Sequence, residues 1–582
     1  MIRRFRARYG WGARSAGGAP AQLTLSRPLP LRGLGVADAV AGLAIAGFVV
    51  VASRTLSSPG LYADEASQIV PALAFLKGHI AQSAVEGTGP AIGIGAHKLH
   101  VMTESYFGSV KSVAYAPVAA IFGTGVQAIR GFSIALAALA LAAYCAFSRR
   151  LFRDAAVAAV AVVLLAADPS FVFYARSDWP PFVFMLLTKT FGGWQLLRWW
   201  DTRDGRSLAL GMFALGIGQW DKANFAWILA AAAVATVVAV GRPLFARLDR
   251  RVVITGVASF AAGCLPLIAY NVRSSFGTVS AVHEVAQRAG TASFPYDEPR
   301  TPGGGLFAQI GQRLDVLGRL LDGKEVGRTV GTPFHTFEFL PWIFAFAVFV
   351  VCVQLVTRRL ESRQARAVVF LLILGAGTLL ATAATSGAFH GHHVVLVYPV
   401  PHLILAFVLV QAARWIARSF SARRRMAAFA AAGVCLVAVP VAIADVTTGR
   451  MLHTFDTAGG RGVWSDAIYP LTRYLEDARA PVVTADWGFD QNVIALSSGR
   501  VPLSDDWYEL EQGTPAPAKV LAKSVADSRT LYLLHSPRET IDPAARRRFF
   551  AGMRQLHVQP TLVRTFNDRG GHPLFDVYRA ER

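Results

Sequence analysis

The chain of 582 residues has only four cysteines, and few of its residues are charged. All four thiols lie inside apolar runs, so the sequence excludes a fold built on disulfide bonds and offers no cysteine pair for a metal. Charged residues make up 16% of the chain, against roughly 25% in soluble globular proteins. One large water-soluble domain is therefore excluded.

Apolar residues account for 53% of the sequence and are gathered into long runs. A helix needs about 20 mostly apolar residues to cross ~30 Å of hydrocarbon. These runs predict a polytopic α-helical membrane protein. We expect about eleven spans, at 36–53, 126–147, 154–173, 180–200, 206–220, 222–240, 252–270, 338–357, 366–387, 393–415 and 426–446.

Basic residues follow every second span, and the N-terminal stretch 1–35 has arginines but no acidic residue. Because Lys and Arg accumulate on the cytoplasmic side, we expect stretch 1–35 to be cytoplasmic. The surplus in these basic stretches accounts for the whole net charge of +21. The charge is therefore a signal of topology, and we expect no nucleic-acid partner.

The apolar segment 107–123 contains Lys111 and Pro117, and counting it as a span would reverse the side of every later basic connection. We expect it to be a helix lying on or dipping into the outer face. The membrane domain is then 36–446, with a first outer loop at about 54–125 and a second at about 271–337. In residues 447–582, short β-like runs alternate with helical ones, which predicts an extracytoplasmic α/β domain.

Polar residues gather at the predicted outer ends of the spans, where charge is costly unless it pairs or lines a wet cavity. They are Asp64, Glu65, Arg176, Asp178, Lys222, Arg273, His392 and His393. Structural explanations stay open: Asp64 could cap a helix, Arg176 and Asp178 could form an interfacial pair, and Lys222 could bind helix-end carbonyls. For the histidines at 390, 392 and 393, hydrogen bonding or phosphate contact is favoured over a metal cluster, since no cysteine or obvious carboxylate stands beside them.

Five short motifs occur in order over about residues 36–415. They are Tyr62-Ala63-Asp64-Glu65, GTGVQAIR at 123–130, Arg176-Ser177-Asp178-Trp179-Pro180, the glycine-rich helix pair from Gly211 to Lys222, and His392-His393 through Tyr398-Pro399. Together they resemble the GT-C glycosyltransferases that use polyprenyl-phosphate-linked sugars, of the protein O-mannosyltransferase and lipid A aminoarabinose transferase type. Two departures stand out. Segment 271–337 has no room for the folded insert of eukaryotic protein mannosyltransferases, and two histidines stand where relatives often place arginine or tyrosine.

The resemblance implies an integral membrane glycosyltransferase on the outer face of a bacterial plasma membrane. It would move a hexosyl or pentosyl group from a polyprenyl-phosphate donor to a hydroxyl of a glycan, lipid or protein acceptor by inverting displacement. Asp64 would be the base, with Glu65 orienting it or the acceptor. The expected substrate-binding residues are Arg176, Asp178, Lys222, Arg273, His392 and His393. No cofactor is indicated with certainty, and no residue pattern supports a divalent metal.

Two other functions fit the same sequence. The helix break at 219–224 favours a secondary transporter or flippase for a lipid-linked or small polar solute, since interrupted helices often line transport sites. Against it, the predicted spans have few charges at mid-depth and no matching halves. A non-catalytic assembly or anchoring protein would instead bind its partner through residues 447–582.

Overall fold

The computed structural model describes residues 35–78, 91–179, 181–288, 305–385 and 391–581. The predicted cytoplasmic stretch 1–35 lies outside these ranges except for Gly35, as does Pro180 of the third motif. Helix predominates up to residue 458, and a small mixed sheet follows.

The membrane part consists of helices of very different lengths. Between residues 36 and 273 they are α1 Val36–Ala52, α2 Ala63–Ser67, α3 Val70–Lys77, α4 Val110–Phe122, α5 Val126–Phe152, α6 Ala155–Ala167, α7 Pro169–Ser177, α8 Val183–Thr202, α9 Gly205–Asp221, α10 Phe225–Val240, α11 Arg242–Phe245, α12 Arg250–Gly263 and α13 Leu265–Arg273. The others are α14 Gly277–Arg288, α15 Leu306–Leu321, α16 Lys324–Val330, α17 Leu340–Val356, α18 Ser362–Thr385, α19 Gly391–Val394, α20 Val400–Arg418 and α21 Arg425–Ala458. Between α3 and α4 lie two short hairpins, β1 Ala91–Ile94 with β2 His97–His100, and β3 Met102–Glu104 with β4 Phe107–Gly108.

Four described helices, α5, α18, α20 and α21, are long and apolar enough to cross a membrane, and the number rises to six if two bent pairs each count as one span. The bent pairs are α6 with α7, at 71°, and α12 with α13, at 70°. The predicted count of about eleven is not confirmed, because α1, α9, α10 and α17 have only 16 or 17 residues. The several apolar helices do support a multi-pass membrane protein.

Segment 107–123 forms the 13-residue helix α4. At 1.5 Å per residue it is about 20 Å long, too short to cross the hydrocarbon layer. Its first turn is buried, including Lys111 and Ser112, whereas Ile121 and Phe122 near its end are exposed. The segment is therefore a short helix that does not count as a span, and its place on the outer face stays a prediction.

The basic connections meet at one end of the helices, far along the chain from each other but close in space. Arg150 and Arg153 each bind Asp201 at 3.2 Å, and Arg363 donates a 2.6 Å hydrogen bond to the carbonyl oxygen of Arg150. Arg414 likewise binds Asp154. Four of the basic connections therefore lie together at one end of the helices, and the side of the membrane that they face stays a prediction.

The C-terminal part is a five-stranded sheet covered by helices, which confirms a small α/β domain. Its elements are α22 Ile468–Ala478, β5 Val482–Thr484, α23 Asp490–Leu496, β6 Leu503–Asp505, α24 Trp507–Gln512, α25 Pro517–Val525, β7 Leu531–His535, α26 Pro543–Gln555, β8 Gln559–Asn567 and β9 Pro573–Glu581. The strand order is β6-β5-β7-β9-β8, with β5 parallel to β6 and β7 and the β9 pairings antiparallel. Helix α21 continues to Ala458, past the expected boundary at 446, and ends at Gly459 in the left-handed conformation.

Helices α9 and α12 approach each other so closely that both need glycine at the contact. A Cβ atom on Gly263 would lie 2.2 Å from the carbonyl oxygen of Phe213, and one on Gly216 would lie 2.2 Å from that of Phe260. Small residues of this kind allow membrane helices to pack backbone to backbone. The contact holds the end of α9, and with it Lys222, against α12.

We expect Gly263→Ala to lower the melting temperature of the purified protein, because the added methyl group pushes the two backbones apart, at a cost of about 1–3 kcal/mol. Gly256→Ala on the same helix is the control, since its new Cβ would meet only Met212, at 3.8 Å. Equal melting temperatures for the two variants would contradict the close packing.

Candidate active site

The turn that leads into α2 is held by a buried arginine of α5. Arg130 binds both carboxylate oxygens of Glu65 at 2.8 Å, and its guanidinium also donates to the carbonyl oxygens of Leu56, Pro59 and Gly60. The side chains of Arg130 and Glu65 have no exposed surface. Glu65 therefore has no free oxygen for an acceptor, and its geometry favours a positioning role.

Asp64, one residue earlier on α2, is partly exposed. The indole nitrogen of Trp179 donates a 2.8 Å hydrogen bond to its Oδ2. Gln68 Nε2 contacts the backbone carbonyl of Asp64 at 3.2 Å and that of Asp178 at 2.8 Å. Asp64 is thus an accessible carboxylate with a fixed orientation, tied to the segment that contains Asp178.

Asp178 follows the last residue of α7 and lies five residues before the start of α8. Its Oδ1 accepts hydrogen bonds from the backbone nitrogens of Phe182 and Val183, and its Oδ2 lies 3.0 Å from the ammonium of Lys111. Lys111 and Asp178 are both buried. This carboxylate is committed to a helix cap and an ion pair, so its geometry supports a positioning role better than direct substrate contact.

Lys222 lies at the break between α9 and α10, beside the hairpin β3–β4. It forms a backbone bridge with Phe107, and Ala223 N donates to Tyr106 O at 2.9 Å. Its ammonium lies within Coulombic range of the carboxylates of Glu104, Asp64 and Asp221. The structure therefore brings Lys222 and Asp64 to one place, although 158 positions separate them in the sequence.

Gly108 allows the hairpin to approach the end of α9. A Cβ atom there would lie 2.2 Å from the carbonyl oxygen of Trp220. The indole nitrogen of Trp220 in turn donates to Val101 O at 2.8 Å. These contacts fix the distance between the hairpin, which contains Glu104, and Lys222.

Glu104 contributes a further carboxylate to the site. Burial of the carboxyl group, reinforced by the negative charges of Asp64 and Asp490, raises the pKa of Glu104 to about 7, although Lys222 acts in the opposite direction. Asp490 begins α23 of the C-terminal domain. The carboxylates of the site thus come from both parts of the chain.

Aromatic rings from the C-terminal domain pack against α2. Trp464 stacks on Tyr62 with 4.3 Å between ring centroids, and Trp487 lies 5.8 Å from the same ring. Gly60 N donates to Trp464 O at 2.7 Å. Tyr62, Trp464 and Trp487 therefore form an aromatic wall beside Asp64.

The remaining predicted residues are distributed differently from the expectation. Arg176 is buried, and its Nη2 donates to the carbonyl oxygens of Thr55 and Ser58, at 2.6 and 3.1 Å. Its Nε and Nη1 atoms are buried and have no hydrogen-bond partner among the described residues. The observed contacts therefore show a positioning role and leave contact with phosphate a prediction. Arg273 is exposed at the end of α13 and forms no hydrogen bond or ion pair with any residue in the described part of the chain. The structure brings it into contact with none of the other site residues.

The two histidines of α19 lie beside the aromatic wall. The His392 ring is 4.7 Å from that of Trp179, which holds Asp64, and 4.0 Å from that of His393. His393 also faces Trp227 at 6.0 Å. Within the described residues, no group of three or more His, Cys, Asp or Glu side chains is arranged to hold a metal ion.

Sequence reasoning missed Lys111, Glu104 and Arg130 as members of this site. The signal for Lys111 was present, because a lysine inside an apolar segment must find a partner. Arg130 ends the second motif, four residues after α5 begins, where only the fold shows that it faces Glu65. Glu104 has no sequence signal, since nothing in the loop indicates its hairpin.

The helical membrane part followed by a C-terminal α/β domain is a fold shared with solved GT-C glycosyltransferases. The chain superposes on ArnT, a lipid A aminoarabinose transferase, from Cupriavidus metallidurans bound to undecaprenyl phosphate, with a TM-score of 0.53 and 14% identity over 93% of this chain and 97% of that one. The apo form of the same protein gives the same TM-score and identity, with 98% of its chain covered.

An archaeal protein has the fold as well. The Archaeoglobus fulgidus oligosaccharyltransferase in its apo form matches with a TM-score of 0.51 and 11% identity, covering 86% of this chain and 69% of that one. No protein-family model matches the sequence, and no curated protein does. At these identities the comparisons establish the shared fold.

We expect Arg130→Ala to destabilise the protein by about 3–5 kcal/mol, because it leaves the buried Glu65 carboxylate without its cation. Thermal unfolding of the purified protein measures this. Arg500→Ala is the control, since the Arg500–Glu476 pair is largely exposed and such pairs contribute at most about 1 kcal/mol. A similar loss for both variants would show that the Arg130 pair is not the anchor.

The raised pKa of Glu104 has a definite effect on stability. Between the unfolded pKa, near 4.5, and the folded pKa, about 7, the folded state holds a proton that the unfolded state has lost, so stability falls as pH rises. We expect Glu104→Gln to remove this decline. The melting temperature of the variant should therefore rise relative to that of the wild type between pH 5 and pH 7. Glu361→Gln, at an exposed site, should show no such gain, and parallel curves for Glu104→Gln and wild type would contradict the shift.

Proposed function

We propose that the protein is a membrane glycosyltransferase that moves a sugar from a polyprenyl-phosphate donor to an acceptor hydroxyl. The observation that carries the proposal is the partly exposed Asp64 carboxylate, oriented by Trp179 and within electrostatic reach of Lys222. The fold shared with ArnT, whose structure holds undecaprenyl phosphate, supports the same class of donor. The outer face of a bacterial plasma membrane is the proposed location, since the site lies at the helix ends opposite the basic connections.

The chemistry needs one base and one cation. Asp64 takes the proton of the acceptor hydroxyl as its oxygen forms a bond to the anomeric carbon, and the bond from that carbon to the phosphate oxygen breaks with its electron pair. The departing lipid phosphate gains negative charge, which the Lys222 ammonium stabilises. Attack from the side opposite the phosphate inverts the anomeric centre, and a single carboxylate suffices because phosphate leaves without protonation.

The other charged residues fix the backbone segments that position Asp64 and Lys222. Glu65 and Arg130 fix the start of α2, and Asp178 with Lys111 fixes the junction of α7 and α8. In this proposal Arg176 positions the 55–58 turn, a change from the phosphate-binding role that the motif implies. His392, His393 and the aromatic wall would contact the sugar or the acceptor.

A secondary transporter or flippase remains the second candidate. The bends of 71° between α6 and α7 and of 70° between α12 and α13 favour it, because broken helices line many transport sites. The glycosyltransferase is preferred, because transport does not call for an oriented carboxylate with a cation beside it at the helix ends.

We expect Asp64→Asn to reduce transfer by about 10²–10⁴-fold, the contribution typical of a general base, while the protein level and melting temperature stay unchanged. The measurement is release of free polyprenyl phosphate when purified protein is incubated with a panel of polyprenyl-phosphate sugars. Asp477→Asn, at an exposed position of the C-terminal domain, should retain wild-type activity.

Two outcomes would overturn the assignment. Full activity of Asp64→Asn would remove Asp64 as the base. Donor that stays intact with wild-type protein, together with solute movement across proteoliposomes that contain it, would favour the transporter.

A further inference from the structure

A cavity lies between the helices, and Asp64 is not among its lining residues. It has a volume of about 520 Å³ and is enclosed by α8, α9, α10, α12 and α18. Its walls are almost wholly apolar, and its charged lining residues are Lys189, Arg363 and Arg366. The volume falls in the range of about 300–1,000 Å³ that small-molecule sites occupy.

The two ends of this interhelical cavity differ. Nearer the candidate active site, the ammonium of Lys189 bonds to the backbone carbonyls of Leu396, at 2.9 Å, and Tyr398. At the other end, Trp199 and Arg366 line it. Ten residues of α8 separate Lys189 from Trp199, which corresponds to about 15 Å along the helix.

The mouth of the cavity is apolar and open to the surface of the membrane part. Leu248, Val253 and Val257 line it and are 41%, 48% and 63% exposed. In a protein that spans a membrane, such side chains face lipid rather than water. A hydrocarbon chain can therefore enter the cavity sideways.

The far end carries a surplus of positive charge. Arg150, Arg153 and Arg363 all lie within 4 Å of the single carboxylate of Asp201. Arg366 is exposed, and its positive charge repels that of Arg363. It forms no ion pair with any residue that the structure describes. Cations beside hydrocarbon are costly without a counter-charge, and arginine suits phosphate oxygens.

We propose that the interhelical cavity binds an anionic phospholipid, with one acyl chain between the helices and the headgroup phosphate at Arg366. The apolar walls and the cationic rim match the two parts of such a lipid, as basic pockets between membrane helices do in general. The sugar donor suits this cavity less well, because Lys189, the cation at the end nearer Asp64, already donates to two backbone carbonyls, whereas Arg366 at the far end forms no ion pair among the described residues. The site is therefore separate from the proposed reaction.

The test uses the full-length protein in detergent, titrated with phosphatidylglycerol or phosphatidylcholine and followed by native mass spectrometry. We expect phosphatidylglycerol to bind more tightly than phosphatidylcholine. Arg366→Gln should weaken phosphatidylglycerol binding roughly fivefold, the effect of one arginine near an anionic surface, and should leave phosphatidylcholine unchanged. Gly256→Leu should abolish binding of both, because its side chain enters a cavity where a new Cβ would meet only Met212.

Two variants outside the cavity serve as matched controls. Arg418→Gln removes an exposed arginine from the same basic end, and Gly433→Leu adds a side chain where a Cβ would meet nothing within 4 Å; both should bind lipid as the wild type does. Equal affinity for the two lipids, or undiminished binding by Gly256→Leu, would overturn the proposal. So would competition in which polyprenyl phosphate displaces phosphatidylglycerol from the wild type, because the cavity would then hold the donor lipid.

Discussion

The guanidinium of Arg130 satisfies both oxygens of Glu65 and three backbone carbonyls of the turn at 56–60. A buried charge of either sign is costly alone, so each of these groups needs the other. The pair fixes where α2 begins, and α2 fixes the direction in which Asp64 projects. Every other feature of the candidate site is arranged around that carboxylate.

Charge in this region is divided between groups that are fully engaged and groups that remain accessible. Asp178 and Lys111 neutralise one another in the interior, and Asp178 also caps α8. Asp64 and Glu104 are partly exposed as residues. Burial of the Glu104 carboxyl group, reinforced by the charge of Asp64, keeps the pKa of Glu104 high. The engaged pairs give rigidity, and the carboxylate of Asp64 remains for a substrate. The accessible carboxylate is therefore the candidate for direct contact with a substrate.

Motifs in the sequence indicated the membrane fold and the site at Asp64 and Lys222, because short polar runs at the ends of apolar spans are conspicuous. The number of spans could not be obtained in the same way. Helices α12 and α13 are formed from one apolar run that bends in the middle. The position of α9 in the membrane part depends on its close packing against α12 at Gly216 and Gly263, and its length alone does not indicate it. The predicted role of Arg176 rested on a short motif and on sidedness, and that of Arg273 on sidedness. Neither signal tells whether a guanidinium faces a cavity, the backbone or solvent.

The sequence by itself determined that the chain is built of apolar helices with a basic end, because hydrophobicity and charge act locally along each segment. It also determined the small α/β domain, whose alternating patterns are local too. Only the tertiary structure decided which charges meet. Arg130 binds Glu65, Glu104 lies within Coulombic range of Lys222, and Trp464 stacks on Tyr62 across long separations in the chain. Such pairings depend on how helices pack against one another, and the packing is set by the shape of all their side chains together.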